Sequence, residues 1–394
     1  MNLRGLSSAR AVARCAAALV ALLLGACGAL PQQKLDLAEI APLVLDGQVI
    51  TVADARAEVS DRDLLTLNDE MRAFVRRYTD GVHNERARLL ALHTAVKSPG
   101  ALALQYDPFA DGSAQEAFAR GTANCLSYAN LFVALAREAG LDASYQWMDI
   151  RPEWHRVGDR VAVRLHVNVL VKTRTGDDFM IDIDPLSRSE VAGSRLISDR
   201  EAQALYYGNV AMQALAEGDV ADAWMQTLHA LEIAPDLSHL WVNLGAIYRY
   251  AEQYAEAEQA YFRALAVDAT DRSAMNNLVV LYAMTGRADE ESYWLDRLRR
   301  YRERNPYYHA NLGDVAGASG DWEAAYEHYA RAVELHPKDS ELIYALGVIE
   351  HRRGNYDAAT RLIEKAIEHA NFSVDQQNYR IQLRAIREQR AASL

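Results

Sequence analysis

Positive charge is in deficit in this sequence. Its 42 lysines and arginines stand against 54 aspartates and glutamates, a formal net charge of -12. Phosphate backbones need a basic face, so a nucleic-acid partner is excluded. No long run of one sign occurs, which removes an electrostatic membrane-binding tail. The apolar stretch from Cys15 to Leu24, about ten residues, is too short to cross a bilayer. Cysteine is scarce, with three in 394 residues, and no paired metal-ligand spacing is present; no metal and no cofactor is expected. What is there is globular: 50% of residues are hydrophobic and 24% charged, in a chain long enough for two or three domains, each with its own core.

Residues 1–26 read as a processing segment rather than part of a fold. Arg4, Arg10 and Arg14 make a basic start, and the apolar stretch ends in Leu24-Gly25-Ala26-Cys27. Small residues before a cysteine suit a peptidase that needs narrow side chains at the scissile bond. The segment resembles the bacterial lipobox, which implies a signal peptide, lipidation of Cys27 and a mature lipoprotein that begins there. Gly28 stands where an aspartate would signal inner-membrane retention, so the resemblance implies a cell-envelope protein at the outer membrane, facing the periplasm. Several acyl chains give stable attachment where one would not. Cys125 then remains as the lone thiol. It has no partner for an internal disulfide, and an oxidising compartment threatens it. Such a cysteine is either buried and inert or kept for its chemistry.

Residues 27–58 read as a tether, in which Leu43-Val44-Leu45 and Val49-Ile50-Val52 suit a short hairpin around Asp46-Gly47. A first domain is expected over 59–190. Ser60-Asp61-Arg62-Asp63 predicts a helix start with an acidic first turn, the helix running to about Gly81. A second helix is expected from Asn84 to about Lys97, ended by Pro99-Gly100. Ala129, Phe132, Val133 and Ala136 fall at i, i+3, i+4 and i+7 and predict a helix over 125–139, closed by Gly140. The period then changes. Val161, Val163, Leu165, Val167, Val169 and Val171 alternate with residues that include His166, Asn168 and Lys172, a strand with one apolar face. Residues 173–177 form a loop, and Phe179, Ile181 and Ile183 alternate with Met180, Asp182 and Asp184 until Pro185 ends the strand. This half is α+β.

From residue 204 the pattern is helical and repetitive, with unit starts at 204, 238, 272, 306 and 340. The 34-residue period is that of tetratricopeptide repeats. The second unit carries Trp241, Leu244, Gly245, Tyr248, Ala257, Tyr261 and Ala264, and the fourth and fifth repeat most of these positions. The first is weaker. The third is weakest, with Glu291 and Leu298 in place of small residues. Small residues let two antiparallel helices approach, and aromatics fill the gap to the next pair. Five units are expected over 204–373, an all-α solenoid, followed by a polar capping helix over 374–394. Trp224, Trp241, Trp294 and Trp322 read as packing residues, so the repeats contribute no chemistry of their own.

The segment from Arg120 through Cys125 to Gly140-Leu141 resembles the transglutaminase-like core, in which a glycine-bearing loop leads to a cysteine opening a helix. The family's second motif, a histidine early in a strand, matches His166-Val167-Asn168-Val169; its third, a strand ending in Asp-Pro, matches Ile183-Asp184-Pro185. The resemblance spans roughly residues 100–187 and implies a papain/transglutaminase-like fold with Cys125, His166 and Asp184 as catalytic residues. Asn168 departs from the aromatic that family members commonly carry there. The residues make the same case on physical grounds. A cysteine at a helix N-terminus meets the positive end of the macrodipole, which favours thiolate. An imidazole adds a counter-ion and a proton for a leaving amine, and an aspartate can fix its tautomer. Pairing 166 with 184, or with 182, keeps both side chains on one sheet face, so Asp182 stays a candidate beside the preferred Asp184, and His155 is a rival to His166. The Cys125 N–H would supply part of an oxyanion hole.

The reading is therefore an envelope-anchored cysteine-dependent amide hydrolase or acyl transferase, working through a thioester, whose repeats recruit a protein or peptide. The alternative is a non-catalytic binding scaffold with a degenerate transglutaminase-like domain, its acidic balance suited to a basic partner.

Overall fold

A computed structural model describes residues 39–150, 166–185, 191–370 and 373–392. The segment bearing Cys27, the rival His155 and the expected strand residues 161–165 lie outside the described residues. The described residues from Pro42 onward make one compact unit.

The chain enters that unit through a hairpin of β1 (Leu43–Leu45) and β2 (Gln48–Ile50). Asp46 and Gly47 at its tip both take positive φ, 50° and 78°, the conformation that favours an Asp-Gly pair in tight hairpins. α1 (Val52–Glu58) follows behind a Thr51/Asp54 capping box. The expected tether is thus corrected from residue 42 onward. Arg56 pairs with Glu232 at 2.6 Å, the Val44 N–H donates to Gln253, and the Gln253 amide donates to the Pro42 carbonyl. This stretch folds onto the helical half of the chain.

The next helix begins later than the acidic triplet suggested. Asp63 accepts from the Leu65 N–H and the Thr66 hydroxyl, making a local turn, the common competitor of a helix start for short acidic side chains. Asn68 then caps α2 (Asp69–Thr79), and Asn84 caps α3 (Glu85–Lys97). β3 (Gln105–Tyr106) bridges in parallel to the strand beyond α4 (Ala114–Arg120), which is β4 (Thr122–Ala123). That bridge delivers the chain to α5 (Cys125–Glu138), in which every residue from Leu126 to Ala136 is buried. α5 is therefore the domain's central helix, buried all round, rather than a half-exposed one.

α5 packs on β5 (Asp142–Ile150) and β6 (His166–Lys172). With β7 (Asp178–Ile181) and β8 (Val191–Ile197) these form an antiparallel sheet of order β7-β6-β5-β8. A buried polar chain ties helix to sheet: the Tyr145 hydroxyl donates to Asn130 Oδ1 at 2.8 Å, and the Asn130 amide donates to the Gly112 carbonyl at 3.0 Å.

The helical half opens with α6 (Asp199–Glu217) and α7 (Val220–Ile233). α6 starts earlier than the expected residue 204, because Ser198 and Glu201 build a capping box. The pairs that follow are α8 (Ser238–Tyr250) with α9 (Tyr254–Val267), α10 (Arg272–Thr285) with α11 (Ala288–Glu303), α12 (Pro306–Ala318) with α13 (Trp322–Leu335), and α14 (Ser340–Arg352) with α15 (Tyr356–His369). All four start where the period places them. α16 (Ser373–Ala392) closes the stack, laying Tyr379, Leu383 and Ile386 on Ile343, Ala359 and Ile363.

The small residues act inside each pair. A Cβ on Gly245 would lie 2.6 Å from Tyr261 Cδ1, and one on Gly347 would lie 2.8 Å from Ile363 Cγ1, so each glycine leaves room for a side chain of the paired helix to lie against its backbone. Tyr261 thus fills its own pair, and only its hydroxyl reaches forward, to Asn277. Trp224, Trp241 and Trp294 are buried packing residues. The two halves are joined by Arg137, whose guanidinium donates to both Asp199 oxygens at 2.7 and 2.9 Å, and by Tyr207, which donates to the Ser60 carbonyl at 2.8 Å.

Candidate active site

Cys125 is the first residue of α5. Asn124 caps that helix by accepting from the Ser127 N–H at 2.8 Å, and a helix's first N–H groups have no partner within the helix. The Cys125 thiol therefore sits at the positive end of the macrodipole, and it is partly exposed. The cap is itself held. The Asn124 amide donates to Asp111 Oδ1 at 2.7 Å, and the same oxygen accepts from the Asn209 amide of α6 at 3.1 Å. Arg120 donates to the Ala110 and Asp111 carbonyls, so the loop bearing Asp111 is pinned on both flanks.

His166 opens β6, opposite Met148 of β5, and is buried. Its Nε2 lies 2.5 Å from Asp182 Oδ2, and the Cys125 thiol is near enough to act on the same imidazole. Nε2 being engaged by the carboxylate, Nδ1 is the ring nitrogen left for another partner. The structure thus pairs His166 with Asp182 rather than with the preferred Asp184, and sets Cys125 beside them. The hairpin takes the expected loop, and its register (Val169 with Ile181, Lys172 with Asp178) would place 184 opposite 166 if the ladder continued. It stops at Ile181. Residues 183 and 184 bend away, Asp184 is exposed, and its N–H donates to Asp182 Oδ1 at 3.2 Å. Asp182, a diagonal neighbour within reach across an antiparallel pair, takes the imidazole instead.

The acid is fixed from several sides. One carboxylate oxygen serves His166 and the other accepts the Asp184 N–H, while Lys97 donates to the Ile183 carbonyl at 3.4 Å. Tyr128, one turn along α5 from the cysteine, is buried; its phenol is pushed up by that burial and by the Asp182 charge. Lys97, Tyr128 and the 183–184 bend went unread in the sequence, since nothing in their spacing marks them. Asn168, the departure from the family pattern, stands opposite Gln146 with both side chains buried and both amide oxygens without a partner.

Burial alone would pull the His166 imidazole down. The hydrogen bond to Asp182, its charge and the nearby Cys125 outweigh it and push it up from 6.5 to about 9. At neutral pH the folded protein therefore keeps a proton that the unfolded chain begins to lose above 6.5. The stability this contributes is complete below that value and disappears as pH rises through about 9. The urea midpoint is expected to fall on going from pH 7 to pH 9.5, and less steeply in His166→Gln; equal slopes would show that His166 is not held protonated.

With this geometry in view, comparison with known proteins places the two halves. Residues 72–177 match the model of the transglutaminase-like superfamily, and residues 240–273 and 311–373 match tetratricopeptide-repeat models. The chain carries a transglutaminase-like domain and tetratricopeptide repeats. The transglutaminase-like match includes Cys125 and His166 and ends before Asp182 and Asp184, so the choice of acid rests on the hydrogen bond alone. The repeat matches leave out the first and third units, the two weakest in sequence. Superkiller protein 3 of Schizosaccharomyces pombe is 23% identical over 174 residues, 42% of this chain and 12% of that protein; the chain thus spans about an eighth of the relative it matches. Among solved structures, YrrB, described as a TPR protein with an unusual peptide-binding site, is 19% identical, covering 46% of this chain and 93% of its own at a TM-score of 0.24. MamA from Desulfovibrio magneticus RS-1 is 16% identical (44% and 96% covered, TM-score 0.25), and Pseudomonas aeruginosa pilF 19% (49% and 88%, 0.25). The architecture is a small sheet-containing domain followed by a tetratricopeptide-repeat solenoid.

Proposed function

We propose that this protein is a cysteine-dependent amide hydrolase or acyl transferase acting on peptide-type amides, with the repeats recruiting a protein or peptide. One observation carries the reading: a buried imidazole hydrogen-bonded to a carboxylate, with a thiol at a helix N-terminus close by. A fold is shared by many functions, so the argument rests on these groups.

The imidazolium is the counter-ion of the sulfur and the acid for the leaving group. Sγ attacks the amide carbonyl carbon, and the developing oxyanion takes the Cys125 N–H, a first-turn donor without a helical partner. The C–N bond breaks as the imidazolium gives its proton to the departing nitrogen, leaving a thioester and neutral His166. Water or an amine then attacks the thioester, His166 takes its proton, and the thiolate leaves. Asp182 keeps the ring in the orientation both steps need.

The reading is tested with p-nitrophenyl acetate, a small acyl donor that does not depend on knowing the natural substrate. Acetylation of Cys125, located by peptide mass spectrometry, and turnover accelerated by an added amine are expected. If Cys125 stays unmodified while p-nitrophenol release matches buffer, the catalytic reading fails and a binding scaffold remains.

We also place the protein at the bacterial envelope, held by acyl chains on Cys27; the reading is supported by the Leu24-Gly25-Ala26-Cys27 motif behind a basic, then apolar, segment. Among the described residues no helix is long and apolar enough to cross a membrane. Cells fed an alkyne fatty acid are expected to label the wild-type chain and to leave Cys27→Ser unlabelled, with the variant released from the membrane fraction. Equal labelling of both would remove the anchor.

A further inference from the structure

Where the third repeat meets the fourth there is a hollow of about 540 Å3. Arg297, Arg300 and Tyr301 of α11, Arg304 just beyond it, Met275 of α10 and Pro306 of α12 line it. Three of these are arginines, and among the described residues no carboxylate joins the lining. This happens in a chain whose net charge is -12.

Residues 297, 300 and 304 share one helical face, by their spacing of three and four. Like charges so placed disfavour one another, and comparison between units shows that packing does not impose them. In the 34-residue register, position 297 is basic throughout (His229, Arg263, Arg331, Lys365), but Arg300 stands where the other units carry Glu232, Ala266, Glu334 and Glu368. The helix dipole favours a cation at this end, yet three other units place an acid there. The third unit alone turns the position positive.

The three side chains are differently held. Arg297 is half-buried, lies 5.4 Å over the Trp294 ring and donates to the Ala269 carbonyl at 3.3 Å. Arg300 and Arg304 are exposed and open to a ligand, and among the described residues neither is paired with a carboxylate. Asp296 is taken by Arg299 at 2.8 Å, and neither it nor Glu303 lines the hollow.

The number of arginines selects the anion. A carboxylate presents two coplanar oxygens, which one guanidinium fork fills. A phosphate monoester carries nearly two charges and three acceptor oxygens that point in different directions, and planar guanidinium groups suit it. The volume is that of a small-molecule site, enough for one such group and its organic part rather than a run of backbone phosphates.

We propose that this hollow binds a phosphate monoester. Arg300 and Arg304 donate to its oxygens, Arg297 adds charge from the wall, and Met275, Tyr301 and Pro306 receive the organic part. The group is carried either by a lipid headgroup or by a small soluble ester. The site is independent of the chemistry at Cys125.

The test uses the full chain with Cys27→Ser, so that no acyl chain enters a vesicle. Glycerol 3-phosphate is titrated by calorimetry, and phosphatidylcholine vesicles with or without phosphatidic acid are used in flotation. Glycerol 3-phosphate is expected to bind at least about tenfold more tightly than succinate, which carries a similar charge, or phosphatidic acid to increase flotation by a similar factor. Binding in solution assigns a soluble ester; binding to the vesicles alone assigns a headgroup. Arg300→Glu, which installs the residue of the first, fourth and fifth units, and Arg304→Ala are each expected to weaken that binding by about 10- to 100-fold, the equivalent of one hydrogen bond to a charged group. Arg299→Glu has the same net charge as Arg300→Glu but lies outside the lining, and is expected to bind like wild type. Three results would overturn the proposal: no preference for the phosphate in either form, equal weakening by Arg299→Glu and Arg300→Glu, or undiminished binding by Arg300→Glu and Arg304→Ala.

Discussion

Cys125→Ala is expected to remove thioester chemistry while leaving the protein folded. Turnover of p-nitrophenyl acetate should fall by about 10⁴-fold or more, because the other members of a triad do not work without its nucleophile. The structural cost is small. Cys125 is partly exposed at the head of α5, and the Asn124 cap and the buried run from Leu126 onward do not depend on its sulfur. Melting temperature and peptide binding at the repeats should therefore stay close to wild type. A variant that keeps more than a tenth of the wild-type rate would place the reaction elsewhere on the chain.

The second large effect separates two carboxylates that neighbour each other in sequence. Asp182→Asn is expected to lower turnover by about 10²- to 10⁴-fold, the range seen when a triad acid becomes an amide and the imidazole takes the wrong tautomer. Asp184→Asn should change it by less than about threefold, since Asp184 is exposed and contributes a backbone N–H that asparagine also has. The pH–rate profile discriminates further. Losing the Asp182 charge removes one of the causes that push His166 up to about 9, so the alkaline limb in Asp182→Asn should move to lower pH. Loss of activity in Asp184→Asn with Asp182→Asn unaffected would reverse the assignment.

These two residues also mark the limit of what the sequence could reveal. Alternation along 166–172 and 178–184 located the hairpin, its loop and the pairing register. Where the ladder breaks depends on a local bend held by Lys97 and by the Asp184 N–H, and neither contact has a periodic signature. The helix behind Cys125 was legible because its apolar spacing is regular and its glycine stop is clear. The repeat starts at 238, 272, 306 and 340 were legible because each pair needs small residues at fixed places. The third unit was faint for a physical reason: Val279 stands where Gly245, Gly313 and Gly347 stand in its neighbours. β5 and β8 were missed because their residues are of mixed polarity, as in Gln146 and Asp149, and their placement comes from pairing with β6 and with each other. The hairpin and helix at 43–58 lost their place in the fold for the same reason: their partners, Glu232 and Gln253, lie far along the chain.

The shared carboxylate oxygen of Asp111 has a mechanical consequence. One arm of that junction is Asn124, the residue immediately before the nucleophile, and the other is Asn209, on the first helix of the solenoid. A pull or twist on the solenoid is delivered within two hydrogen bonds to the peptide that aims the sulfur. The transglutaminase-like half cut free at about residue 198 would lose one arm of this junction along with the Arg137–Asp199 clasp, and a looser seat for Cys125 is the expected result.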